Sequence, residues 1–190
     1  MLHGLVVCIV TEFRPGKRGV ENNMGMRSWS ECGIGFPLFD GNALTVFDFI
    51  MNHKDSYFKA INNDDSAASV FQNLVEIQDE ATIVGDDGNE FIDESIIYEG
   101  LNELFDYCTA NAIAMIINYE NECLGFGGFP DDGAGYTVET IMYVPSFPWQ
   151  MTEKESKLTS PEVYEILTKY AKELGVSTSS IEEQELEYYG

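Results

Sequence analysis

Carboxylates are the residues of this chain most able to do chemistry: 33 Asp and Glu stand against 10 Lys and Arg. Paired, such groups run general acid–base hydrolysis, and clustered they hold a divalent cation. Spread along one face, they can instead present a row of negative charge like that of a nucleic acid. The stretch from Ala60 to Thr152 holds 18 acids and no Lys, Arg or His. That abundance weakens the catalytic reading, because no pair of acids stands apart from the rest. The two histidines, His3 and His53, belong to no triad motif.

Other motifs fail on spacing. Residues 86–94 resemble a calcium-binding EF-hand loop in their acids only. Aligned on Ile92, the loop would begin at Gly85, put Glu90 where glycine is needed and Ile96 where a bidentate Glu is needed. Gly125, Gly127, Gly128, Gly133 and Gly135 make glycine-rich runs, but no helix with Lys-Ser/Thr follows them, so a hairpin is the better reading than a phosphate loop. Cys8, Cys32, Cys108 and Cys123 lack the paired spacing of a zinc site and suit reduced, structural thiols. No metal site and no cofactor is expected. Arg14, Lys17 and Arg18 form a basic cluster that could contact an anion, although pairing with the protein's own acids is the plainer role.

The chain that must position these groups is 190 residues long, 44% hydrophobic and 13% aromatic. That is enough for one sizeable core, and disordered acidic tails lack such aromatic content. The expectation is one acidic domain over residues 1–190, with no linker dividing it. The net charge of −23 disfavours direct contact with nucleic acid or an anionic membrane. Salt adaptation fits poorly with abundant Ile, Asn, Phe and Tyr. No window approaches the ~20 apolar residues of a membrane span. The run Leu5–Val10 is too short for a signal peptide, so a cytoplasmic location is expected, in the host cytosol if the chain is phage-encoded.

In chain order, Leu5–Phe13 reads as a strand, followed by the basic loop. Trp29–Phe39 reads as a second strand, able to pair with the first. Residues 42–61 read as a helix, and 67–77 as a short helix or, alternatively, as a strand beginning at Leu74. Residues 81–84 and 90–92 flank Gly85–Asn89 as a hairpin. Asp93 then caps a helix to about Asn111, Ala112–Tyr119 reads as a buried strand continuing toward Phe129, and Tyr136–Val144 returns beside it. A helix is expected over 161–174, with Ser160 as its cap and Gly175 just past its end. The tail 181–189 reads as an edge strand, or as a short helix with a Ser180/Glu183 capping box. The order of elements predicts an α+β fold, a mainly antiparallel sheet of about 5–6 strands with about 3–4 helices on it.

On that frame, the candidate partner-binding acids are Asp86 and Asp87 in the hairpin turn, Glu94, Glu99, Glu103 and Asp106 on the following helix, and Asp131 and Asp132 in a later turn. Helical acids three or four residues apart stand roughly 5–6 Å from one another. Phe147 and Trp149, or Tyr188 and Tyr189, are the candidate apolar anchors. In size and charge alone, the chain is similar to the small acidic phage inhibitors that mimic DNA against restriction or CRISPR nucleases. The expected function is an acidic inhibitor of a basic nucleic-acid-binding protein, with no nucleic acid or membrane bound directly and a homodimer left open. The alternatives are an immunity protein for a basic toxin nuclease and a metal-dependent carboxylate enzyme.

Overall fold

A computed structural model describes residues 28–38, 43–61, 65–86, 88–105, 108–130 and 139–189. The first expected strand, the Arg14–Gly19 loop, Asp87, Asp106, Asp131 and Asp132 lie outside these residues. The described chain is a single-domain α+β fold with a mainly antiparallel sheet, as the order of elements predicts.

The main sheet has the strand order β4–β5–β1–β6, with β1 at Ser28–Leu38, β4 at Phe126–Pro130, β5 at Glu139–Tyr143 and β6 at Glu182–Tyr189. All three pairings are antiparallel. Strand β1 pairs with β6 from Ser28↔Tyr189 to Gly35↔Glu182 and with β5 from Ile34↔Tyr143 to Leu38↔Glu139. The tail is thus a strand. Ser180 sits in a short 3-10 turn before it and caps no helix.

Six α-helices are described, more than expected, for two reasons. Two expected helices are each broken. Residues 42–61 form α1 (Ala43–Asn52) and α2 (Lys54–Ala60), with His53 between them. The helix that starts after Asp93, α4 (Glu94–Leu104), stops before Asn111. Secondly, the expected strand 112–119 is the core of α5 (Thr109–Asn121). Ala110, Ala112, Ile113, Ala114, Ile116 and Ile117 are all buried. A helix buried except for one stripe, here Asn111, Met115 and Tyr119, reads as a continuous apolar run when that stripe also carries apolar residues, and such a run is hard to tell from a buried strand.

Helix α5 packs on β4 and β5, α2 packs on α5, and α6 (Ser160–Glu173) packs on β1. Gly128 permits the first of these contacts. A Cβ there would lie 2.2 Å from the backbone of Ala110 and Asn111. Close backbone approach, not phosphate binding, accounts for that glycine. Helix α6 is capped by Thr159 rather than Ser160, and Glu162 accepts from the Thr159 backbone N–H at 2.8 Å. Gly175 follows α6 at φ 69°, as expected of the residue just past a helix end.

Helix α3 (Asp65–Ala81) extends through the alternative strand start at Leu74 and runs straight into β2 (Thr82–Val84). Strand β2 pairs with β3 (Glu90–Ile92) as a separate two-stranded sheet. Among the described residues no helix is long and apolar enough to cross a membrane.

Candidate interaction surface

Residues 65–105 build one lobe: α3, the β2–β3 hairpin and α4, with α3 packed against α4. Its inner side is ordinary core. Leu74 and Ala81 of α3 are buried with Ile97 and Leu101 of α4. The turn is closed by Gly85 N–H donating to Asn89 at 2.8 Å and Gly88 N–H donating to Gly85 at 2.9 Å. Gly88 takes φ 79°, a value that glycine adopts at no steric cost. Asp93 caps α4 by accepting from Ser95 N–H at 3.0 Å. The Ser95 hydroxyl and backbone bonds hold its carboxyl below the usual range.

The outer side is acidic without relief. Glu76, Asp79, Glu80, Asp86, Glu90, Glu94, Glu99 and Glu103 are all exposed. Among the described residues, none of these eight forms an ion pair. Glu76/Glu80 on α3 and Glu99/Glu103 on α4 are each four residues apart. Such like-charge pairs cost a helix a few tenths of a kcal/mol, which a lysine in either position would have reversed. Of the candidate acids, the fold brings Asp86, Glu94, Glu99 and Glu103 onto this lobe.

The Phe147 and Trp149 rings stack face to face, with centroids 4.8 Å apart and planes 2° from parallel. Both are exposed, Trp149 at 78%. Their loop is pinned by Glu155, a buried carboxylate that accepts from Ser146 N–H at 3.0 Å and from Leu124 N–H at 2.9 Å. Two cations, Lys154 and Lys157, follow in the chain, so the aromatic pair lacks the one-signed setting of the lobe. Tyr188 and Tyr189 lie in β6.

Three acids that nothing in the sequence sets apart from the others are structural. Glu155 is the first. Glu139 is buried and accepts from Ala110 N–H at the start of α5, where a carboxylate meets the positive end of the helix dipole. Glu120, near the end of α5, binds three partners closely. His53 Nδ1 lies 2.6 Å away, the Ser56 hydroxyl donates at 2.8 Å and the Tyr170 hydroxyl at 2.8 Å. Lys169 Nζ is 3.3 Å away.

Burial would raise the Glu120 carboxyl, but bonds from His53, Tyr170 and Ser56 outweigh it and hold it at about 2. Burial, then the Glu120 bond, pushes the Tyr170 hydroxyl well above its ordinary value. His53 Nε2 faces Glu173 at 3.0 Å. Both ring nitrogens therefore face carboxylates, and the Ser56 hydroxyl is bonded to Glu120, not to His53. No ring nitrogen is placed to take the serine proton, so the cluster ties helices together rather than forming a nucleophile–base pair.

Among the described residues, no three His, Cys, Asp or Glu side chains converge as a metal site. No family model, curated protein or solved structure matches the chain.

Proposed function

We propose that this is an acidic interaction protein whose 65–105 lobe docks on the nucleic-acid-binding channel of a basic partner and keeps nucleic acid out. A defence nuclease of the CRISPR or restriction type is the partner class that the charge and size fit. The cytosol is the compartment where such a partner would be met. One observation carries this reading: eight exposed acids on two packed helices and their hairpin, with no cation in the sequence between Ala60 and Thr152. Among the described residues these acids do not converge as a metal site, which favours surface mimicry over metal chemistry. Opposite charge would make association fast and salt-sensitive.

The test is capture of partners from bacterial lysate by the tagged protein, with nucleases added, at low and high salt, followed by displacement with purified DNA or RNA. The expected result is a Lys/Arg-rich nucleic-acid enzyme that is lost at high salt and displaced by nucleic acid. A triple variant, Glu94→Lys with Glu99→Lys and Glu103→Lys, should lose it. Unchanged binding by the triple variant would remove α4 from the contact. A single cognate toxin that nucleic acid does not displace would mark an immunity protein instead.

A further inference from the structure

The β2–β3 hairpin shows apolar side chains on both of its faces. In an antiparallel pair, directly opposed residues point to the same side. Ile83 is opposite Phe91, which puts these two on one face. Thr82 opposite Ile92 and Val84 opposite Glu90 occupy the other. Phe91 is 53% exposed, Val84 63% and Ile92 38%. A hairpin covered on one side would bury alternate residues; here Ile83 is half-buried, but Phe91 opposite it and the whole other face are exposed.

A two-stranded hairpin is marginal by itself. Here it is held from its base, where Asp93 N–H donates to the Ala81 carbonyl at 2.8 Å and Ala81 is fully buried. The fold thus holds a small finger of bulky apolar side chains out in water, with Asp86 and Glu90 at its tip. Single exposed apolar residues need no explanation, but three on one short hairpin form a patch of the kind that marks an interaction site.

We infer that this hairpin is the apolar anchor of the docking surface, inserting Val84, Phe91 and Ile92 into an apolar cleft bordered by Lys and Arg on the partner. The inference rests on the acidic-lobe reading and adds to it the contact that supplies affinity. Two features choose the occupant. Apolar residues on both faces call for walls on both sides, hence a cleft rather than a flat surface. The acids at the tip call for a basic rim and repel a second copy of this chain. The Phe147–Trp149 stack is the competing anchor, and its loop is followed by cations.

The test uses the full-length protein and three synthetic peptides: alternating Lys–Leu, alternating Lys–Ser of equal charge, and alternating Glu–Leu. Wild type should bind Lys–Leu about tenfold more tightly than Lys–Ser, the gain expected from covering part of two or three apolar side chains. Glu–Leu should not bind. Val84→Ser with Phe91→Ser should abolish the Lys–Leu preference and leave Lys–Ser binding unchanged, and Trp149→Ala should leave the preference intact. In wild type, amide chemical shifts on adding Lys–Leu should move in 82–92.

Shifts confined to 145–150, or a preference lost only in W149A, would overturn the inference while leaving the acidic-lobe reading standing. Absence of salt-sensitive Lys–Ser binding to wild type would overturn that reading too. A concentration-dependent dimer in sedimentation equilibrium, lost in the serine variant, would identify a second copy as the occupant and overturn the cleft.

Discussion

His53 Nδ1 sits 2.6 Å from Glu120 Oε1, across 67 residues of sequence, while its Nε2 faces Glu173 at 3.0 Å. One imidazole thus joins the α1–α2 junction to the end of α5 and the end of α6. Carboxylates only accept, so both bonds are complete only with the imidazolium.

Glu120→Gln should destabilise the protein by about 1–3 kcal/mol, since it removes a charged acceptor from several donors at once. The pH dependence has a definite sign. The folded carboxyl, at about 2, lies below its ordinary value of 4.5, so the folded state binds fewer protons. Its contribution is complete above about pH 5 and is lost as pH falls toward about 2. Chemical denaturation at a series of pH values should show wild type and E120Q converging across that window. Parallel curves would refute the role given to Glu120.

Glu155→Gln should also destabilise, by about 1–3 kcal/mol, because a buried carboxylate accepting two backbone N–H groups is replaced by an amide with one acceptor oxygen. Hydrogen exchange at Leu124 and Ser146 should accelerate more than exchange in α6. If those two amides stay protected, Glu155 is not what holds the loop of Phe147 and Trp149.

Gly128→Ala should cost about 3 kcal/mol or more, because the added methyl meets helix backbone, which cannot swing aside as a side chain can. A urea midpoint within error of wild type would show that α5 and β4 can separate cheaply.

Cys108 and Cys123 should resist thiol reagents in the folded protein. Burial, with Glu139 adding to it, pushes the Cys108 thiol up to about 11. Burial and then Glu155 push Cys123 up to about 12. Labelling at pH 8, read by mass spectrometry, should reach both only at denaturant concentrations that unfold the chain. Rapid labelling of either in native buffer would contradict its burial.

Raising salt from about 10 mM to about 0.5 M should stabilise the protein, because the Debye length falls from roughly 30 Å to a few Å and like charges cease to repel one another across the lobe. The E94K/E99K/E103K variant should show a smaller gain, since its net charge is −17 (three reversals of two units each from −23). Equal gains would mean that α4 carries little of the repulsion.

Local sequence settled those features that depend on neighbours along the chain. The turn at Gly85–Asn89, the Asp93 cap, Gly175 past the end of α6 and the strands near 29–39 and 139–143 all follow from turn chemistry, capping and short apolar patterns. The cation-free run from Ala60 to Thr152 was visible as well, and with it the acidity of α4. Partners distant in sequence were decided only by packing. Residues 112–119 became a helix because the sheet and α2 cover the run from several sides, an environment that no local pattern encodes. Glu120, Glu139 and Glu155 look like the other acids in the sequence. They differ because helix ends, backbone amides and His53 come to meet them from 29 to 67 residues away in most of these contacts. The eight exposed acids of the lobe form no ion pair among the described residues, because no cation is brought to them. The same sequence chemistry thus yields structural acids where the fold supplies partners and an open anionic surface where it supplies none.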